Sequence, residues 1–369
     1  MLNFIIWNIK PQLLNLGVFE LRYYSLLFAA GFVAGYIIIF RMLKREGLDT
    51  AILEKLTIYV VISTIIGARL GHCLFYEFDY YILHPLEMIL PWKGTIGKDF
   101  RFTGYQGLAS HGAAVGIPIG IYLFSRKTKM SYLYTIDKIA IVVALAAVMI
   151  RTGNLMNSEI YGRISKNQSG FVFVNDLNSL VSKEDFIKKI GYTKTGNDSI
   201  VIANAVPLEL NIEFSNKVRD EITVKRFAEL LLKKYLNRNF YELDVFHPDP
   251  SVMKYDILRP DRNFVLTARV FAYPRYPTQI LEAGAYLLIF LLLLWIYYRK
   301  SRGIKDGFYI GLFLVLIFLA RFIIEFIKED QEAFESGMAL NMGQWLSIPL
   351  VIFGLVLVYL KRPVKPEVK

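Results

Sequence analysis

The chain has 369 residues, 54% of them hydrophobic, a mean hydropathy of +0.39 and a formal charge of +11. Soluble domains are about 45–50% apolar and lack repeated long apolar runs, which excludes an ordinary soluble enzyme. The single cysteine, Cys73, excludes an internal disulfide or cysteine-based zinc site, and His72, His84, His111 and His247 show no metal-ligand spacing, so neither metal nor cofactor is expected.

The first 17 residues lack a basic stretch followed by a long apolar core, so they are not a cleavable signal peptide. A span needs about 20 apolar residues. Candidate spans fall near 22–40, 56–76, 107–124, 134–151, 278–298, 307–327 and 343–360. Arg41, Lys44, Arg45 and Lys55 follow the first, and Arg126, Lys127, Lys129 and Lys138 surround the third-to-fourth connection. Arg299, Lys300, Arg302 and Lys305 follow the fifth, and Lys361, Arg362, Lys365 and Lys369 form the tail. The alternate connections are poorer in base, Lys328 being the cation after the sixth span. By the loop-charge rule the N-terminus is outside and the C-terminus in the cytoplasm. The basic charge is therefore read as loop charge, with no nucleic-acid partner.

Between the fourth and fifth spans, 164–274 has mixed charge and no spanning run. Its amphipathic stretch 221–238 and its strand-like runs 199–203 and 208–214 predict a small α+β head on the outer face. The fold class is thus an all-α polytopic membrane protein of about seven transmembrane helices carrying this head. The expected parts are 1–163, 164–274 and 275–369.

Ionisable groups in or beside hydrocarbon are costly and mark functional sites. The densest cluster follows the apolar run 139–150 and holds Arg151, Asn154, Asn157, Glu159 and Gly162. Arg321 and Glu325 stand four apart and share a helix face. Gln279 and Glu282 open the fifth span, Gln344 and Ser347 the seventh, and Tyr24 lies at the outer end of the first. His111 begins the third span among small residues, and Arg69 sits between Gly67 and Gly71. Arg69 suits either a structural ion pair or carbonyl contact, or a direct ligand role. Cys73 reads as a core residue.

These residues, in this order, resemble the bacterial prolipoprotein diacylglyceryl transferases. That family's signature runs Gly-Arg-x-Gly-Asn-Phe-x-Asn-x-Glu-x-x-Gly; Arg151, Gly153, Asn154, Asn157, Glu159 and Gly162 match it. Ile150 and Leu155 replace the first Gly and the Phe. The resemblance extends to Arg22 to Tyr24, Gly67 to Gly71, Ser110 to Gly112, Pro277 to Gln279 with Glu282, Arg321 with Glu325, and Gly343 with Gln344. A tyrosine common in the family is Ile317 here, and the 164–274 stretch is longer than the family's usual head.

The resemblance implies transfer of a diacylglyceryl group from phosphatidylglycerol to the lipobox cysteine of a preprolipoprotein signal peptide, in the bacterial inner membrane, with glycerol 1-phosphate released. Arg151 and Arg321 would hold the phosphate, Glu159 and Glu325 would brace them, and Asn154 and Tyr24 would orient the head group. His111 is the candidate base, or only a hydrogen-bond donor. Arg69, Asn157, Gly162, Gln279, Glu282 and Gln344 would support them. Both substrates would enter sideways from the membrane lipids. The competing readings are a lipid or anion transporter using embedded Arg–Glu pairs and a non-catalytic envelope scaffold.

Overall fold

The computed structural model describes residues 4–15, 20–90, 92–94, 98, 100–102, 107, 109–195, 202–260, 262–300, 304–330, 335 and 337–359. The predicted tail, Arg302 and residues 199–201 of the run 199–203 lie outside them.

Among the described residues, six helices are long and apolar enough to cross a membrane: Tyr23–Arg45, Ile52–Phe75, Tyr132–Met156, Thr278–Arg299, Phe308–Ile327 and Met342–Tyr359. They carry exposed Val33, Ile58, Leu288, Ile323 and Ile352, apolar side chains that water would drive into burial and that hydrocarbon accepts. The protein is a multi-pass membrane protein. Seven crossings were expected; the seventh candidate, Ser110–Thr128, is a helix but is not among those six. Its glycines, its Pro118 and its terminal Arg126 and Lys127 dilute its apolar content.

The chain divides into two compact units. The first comprises Met1–Phe28, Met149–Gly284 and Ala320–Trp345. Its antiparallel sheet runs Tyr255–Leu258, Val265–Ala272, Val206–Phe214, Ile187–Lys194, and Val245–Phe246 also pairs with Val265–Ala272. Strand Val206–Phe214 alternates strictly: Val206, Leu208, Leu210, Ile212 and Phe214 are buried, as period-two geometry requires of a strand with one face on a core. The amphipathic stretch forms Glu221–Arg226, a π-helical turn Phe227–Leu232, and Lys233–Tyr235. Asp220 caps it, accepting the Thr223 amide at 2.8 Å. Val224, Phe227, Ala228 and Leu232 join the sheet's core.

The sequence reading missed three strands that stand before the first span among the described residues. Phe4–Trp7 pairs in parallel with Gly170–Phe173, and Gln12–Asn15 pairs with Glu20–Arg22. An apolar tetrad such as FIIW has no local signal that separates a strand from a helix start. Of the run 199–203, Ile202 and Ala203 lie outside any strand.

The second unit comprises Ala29–Val148, Ala285–Leu319 and Leu346–Lys369. Helices Ile52–Phe75 and Ser110–Thr128 meet backbone to backbone. A Cβ at Gly67 would fall 2.5 Å from the Gly112 oxygen, one at Gly71 2.6 Å from the Gly112 Cα, and one at Gly116 2.4 Å from the Ser63 oxygen. Such small-residue seams replace side-chain bulk with close dispersion contact, the main attraction left between helices in lipid. Cys73 is fully buried, in keeping with a packing role.

Candidate functional site

Helix Tyr132–Met156 carries Arg151 and Asn154 in its last two turns, and the signature loop follows. A Cβ at Gly153 would fall 2.7 Å from the Tyr24 ring, so the glycine lets that tyrosine lie against the helix. In the loop, Ser158 and Ile160 have φ of 55° and 58°. For β-branched Ile160 this left-handed conformation costs on the order of 1–3 kcal/mol and persists only where contacts impose it. Here Gln279 Nε2 donates to the Glu159 carbonyl at 2.8 Å and Thr278 Oγ1 to the Ile160 carbonyl at 3.2 Å. The loop is thus pinned by the start of helix Thr278–Lys300.

The signature's side chains interlock. Arg151 Nη1 donates to Asn154 Oδ1 at 3.3 Å, and Asn154 Nδ2 to Glu159 Oε1 at 2.8 Å. Asn157 Nδ2 reaches the same Glu159 oxygen at 3.2 Å. The carboxylate nearest the Arg151 Nε is that of Glu282, at 2.8 Å. Glu282 is fully buried, and neither of its oxygens receives a well-aligned hydrogen bond among the described residues, so this contact is chiefly coulombic. Glu159, expected to brace Arg151, is thus engaged by two amides, and Glu282, expected only as support, is the acid at Arg151.

Arg321 and Glu325 lie where helix Phe308–Ile324 tightens into a 3-10 turn over Glu325–Ile327. Their closest approach is 3.9 Å; the Arg321 side chain is 32% exposed and that of Glu325 5%. A Cβ at Gly343 would fall 2.7 Å from the Glu325 carboxyl carbon, so Gly343 makes room for this acid. Gln344 Nε2 donates to the Phe322 carbonyl at 3.4 Å. A cavity of about 170 Å³ opens beside Glu325 and is lined by Arg163, Phe326, Asp330, Asn341 and Gln344 among others.

The end of the signature and the segment after it tie these parts together through isolated bridges. Gly162 forms an antiparallel bridge with Lys328, its amide donating to the Tyr276 carbonyl at 2.9 Å. A Cβ there would fall 2.7 Å from the Tyr276 oxygen and 2.8 Å from the Ile327 oxygen, the physical reason the signature ends in glycine. Arg275 donates to the Gly162 carbonyl at 3.3 Å, bonds Asp244 at 2.5 Å, pairs with Glu329, and lies over the Tyr161 ring. Burial pushes the Tyr161 hydroxyl up to about 12 and raises the Asp244 carboxyl.

Lys328 corrects the sequence reading. It was taken as an outer-loop charge, yet it is 1% exposed, with Nζ 3.5 Å from Glu325 Oε2 and 3.8 Å from Glu282 Oε1. Burial lowers its pKa, opposed by those two carboxylates. The available signal was its spacing of three from Glu325, which places both on one helix face.

The two remaining predicted residues belong to the second unit. Arg69 is buried; it donates to the Glu87 carbonyl at 2.6 Å, the Met88 carbonyl at 3.1 Å and the Tyr81 hydroxyl at 3.0 Å. That is the carbonyl-contact alternative. His111, second residue of helix Ser110–Thr128, is exposed, with the Phe75 ring edge-on at 5.0 Å and the Tyr76 ring at 5.7 Å. Ile317 is a buried apolar residue. Among the described residues, no three His, Cys, Asp or Glu side chains are grouped to hold a metal ion.

The profile of the family described as prolipoprotein diacylglyceryl transferase matches residues 11–360. The chain belongs to that family. It is similar to a phosphatidylglycerol–prolipoprotein diacylglyceryl transferase of Bacteroides fragilis, 34% identical over 96% of this chain and 94% of that protein. Proteins of the same description from Tolumonas auensis and Porphyromonas gingivalis are 31% and 32% identical, over 98% of this chain and 99% and 96% of their own. These family members are therefore of comparable length, so the length of 164–274 does not set this chain apart from them.

Proposed function

We propose that the protein transfers the diacylglyceryl group of phosphatidylglycerol to the lipobox cysteine thiol of a preprolipoprotein. The supporting observation is that Arg151 and Arg321 are linked, within one unit, by a single run of ion contacts through Glu282, Lys328 and Glu325. Guanidinium binds phosphate in a planar two-point fork and stays charged, so two of them suit a phosphodiester.

In the reaction the cysteine sulfur attacks the glyceryl carbon that bears the phosphate ester. The C–S bond forms, the C–O bond breaks, and the electron pair leaves on the oxygen of glycerol 1-phosphate. The thiol proton goes to a base. Charge grows on the phosphate as the bond breaks, and preformed cations aimed there lower the barrier. A free thiol has a pKa of about 8.5, so base assistance is needed near neutrality. His111 is the assigned base, its exposure leaving the imidazole accessible to a substrate thiol. Asn154 and Tyr24 orient the head group, while Glu159, Asn157, Gln279 and Gly162 hold the loop. Arg69, Glu282 and Gln344 support the bundle.

The same reading places the protein in the bacterial inner membrane with seven crossings, Ser110–Thr128 included. The N-terminus and site are extracytoplasmic and the C-terminus cytoplasmic, with 164–274 as an outer head between the membrane parts 1–163 and 275–369. Both substrates enter from the bilayer. The test is to incubate the purified protein with phosphatidylglycerol and a lipobox peptide and to weigh the peptide. A mass gain of one diacylglyceryl unit is expected. Lipid movement between leaflets without mass gain would replace this reading with the transporter one.

A further inference from the structure

The ion contacts of the first unit run in the order Arg151, Glu282, Lys328, Glu325, Arg321, with separations of 2.8, 3.8, 3.5 and 3.9 Å. Three cations alternate with two carboxylates, so the run carries one surplus positive charge. Without Lys328 the formal sum would be zero, each guanidinium facing its own carboxylate. A neutral pair holds a phosphodiester less well than a free guanidinium, because the carboxylate's repulsion offsets part of the guanidinium's attraction.

Lys328 changes this by sharing both acids. Glu325 lies closer to Lys328 than to Arg321, although Arg321 stands one helical turn away from it. Arg321 accordingly remains partly exposed at the longest contact of the run. Glu282, fully buried, is flanked by Arg151 and Lys328 together. The lysine's position is set independently of its charge. Its backbone is bridged to Gly162, and its carbonyl accepts Arg163 Nε at 3.1 Å. The signature loop thus places the ammonium between the acids.

We propose that Lys328 is a positioning residue for the transfer: it draws Glu325 away from Arg321, offsets the Glu282 charge beside Arg151, and leaves the run one positive charge for an anionic phosphodiester. This rests on the reading above, that the phosphodiester of phosphatidylglycerol sits at Arg151 and Arg321. The residue touches the two acids and acts through them, so the effect is one of charge and arrangement.

The experiment uses the full chain in detergent with dioleoyl-phosphatidylglycerol and a lipobox peptide, following peptide mass while the lipid is titrated. Product from the wild-type protein upholds the parent reading; no product overturns that reading and this inference with it. With an active wild type, Lys328→Met keeps the length and removes the charge. It is expected to raise KM for the lipid and lower kcat/KM by about 10- to 100-fold, the worth of one charge-assisted contact. Lys328→Arg restores the charge and is expected to recover most of the loss. The double variant E325Q/K328M returns the run's formal charge to its wild-type value. It is expected to outperform K328M, which a purely packing role for Lys328 does not give. Thermal melting of each variant separates folding from function. A K328M protein with wild-type kcat and KM, or one whose defect E325Q leaves unrelieved, overturns the proposal.

Discussion

The two units each contain an ionic network with buried members, and the networks are built to opposite rules. In the second unit Glu46 accepts Lys138 Nζ at 2.6 Å, the Tyr297 hydroxyl at 2.6 Å and the Tyr134 hydroxyl. Asp137 accepts the Gly307 and Ile310 amides at 2.7 and 2.8 Å, capping helix Phe308–Ile324. Every contact there is short and directed, as a structural tie should be. In the first unit's run three of the four contacts are longer, a cation is in surplus, and one guanidinium stays partly exposed. Buried charge therefore does not identify a site by itself. The proposed function draws instead on surplus and loosely held charge, which has binding capacity left for a ligand.

The sharpest way to break this contrast is Arg321→Gln. If the first network does the chemistry, kcat should fall by about 10²- to 10³-fold, the range for removing one preorganised donor to a developing anion. Its melting temperature should stay near wild type, since the side chain is partly exposed. His111→Gln tests whether the second unit contributes to the reaction beyond its closed network. Loss of a general base predicts roughly a hundredfold lower rate near neutral pH, with part of the rate returning at alkaline pH as the substrate thiol ionises unaided. An unchanged pH profile removes the base role from His111.

Lys138→Met addresses the other side. Lys138 is buried and its partner Glu46 partly exposed; losing this charge-assisted contact costs about 1.5–3 kcal/mol, so melting in detergent should drop while turnover per folded molecule holds. Equal turnover loss in K138M and R321Q would erase the distinction. Glu46 adds a pH signature. Burial raises its pKa, but the Lys138 charge and the hydrogen bonds outweigh that and lower it overall. A lowered folded pKa means stability complete above the ordinary glutamate range and lost as pH falls through the folded value. Glu46→Gln should flatten that acid limb of the melting curve. The smallest effect is expected from Gly343→Ala. Its new Cβ would press on the Glu325 carboxylate, and a several-fold fall in kcat/KM at unchanged expression would show that this acid's position matters.

Much of this was legible along the chain. Six of the expected spans appear as helices apolar enough to cross a membrane, because length and apolarity in lipid are properties of local sequence. The signature from Arg151 to Gly162, the Arg321–Glu325 pair and Gln279 with Glu282 were recognisable as a set, since polar groups at the ends of spans are conspicuous against hydrocarbon. The strand Val206–Phe214 and the helix beginning at Glu221 also followed from their periods.

Other features depended on contacts that no periodicity encodes. Glu282, not Glu159, is the acid beside the Arg151 Nε, because the two lie on different helices and only folding brings them to 2.8 Å. Lys328 sits in a stretch that reads as loop, and a bridge to Gly162 buries it. The pairing of Phe4–Trp7 with Gly170–Phe173 joins segments far apart in sequence. The sequence alone determined which stretches form long apolar helices and which polar groups stand at their ends, through hydrophobicity and helix rise. Which acid neutralises which base, and which cation is left over, was decided by tertiary structure, because coulombic partnership depends on distance through space.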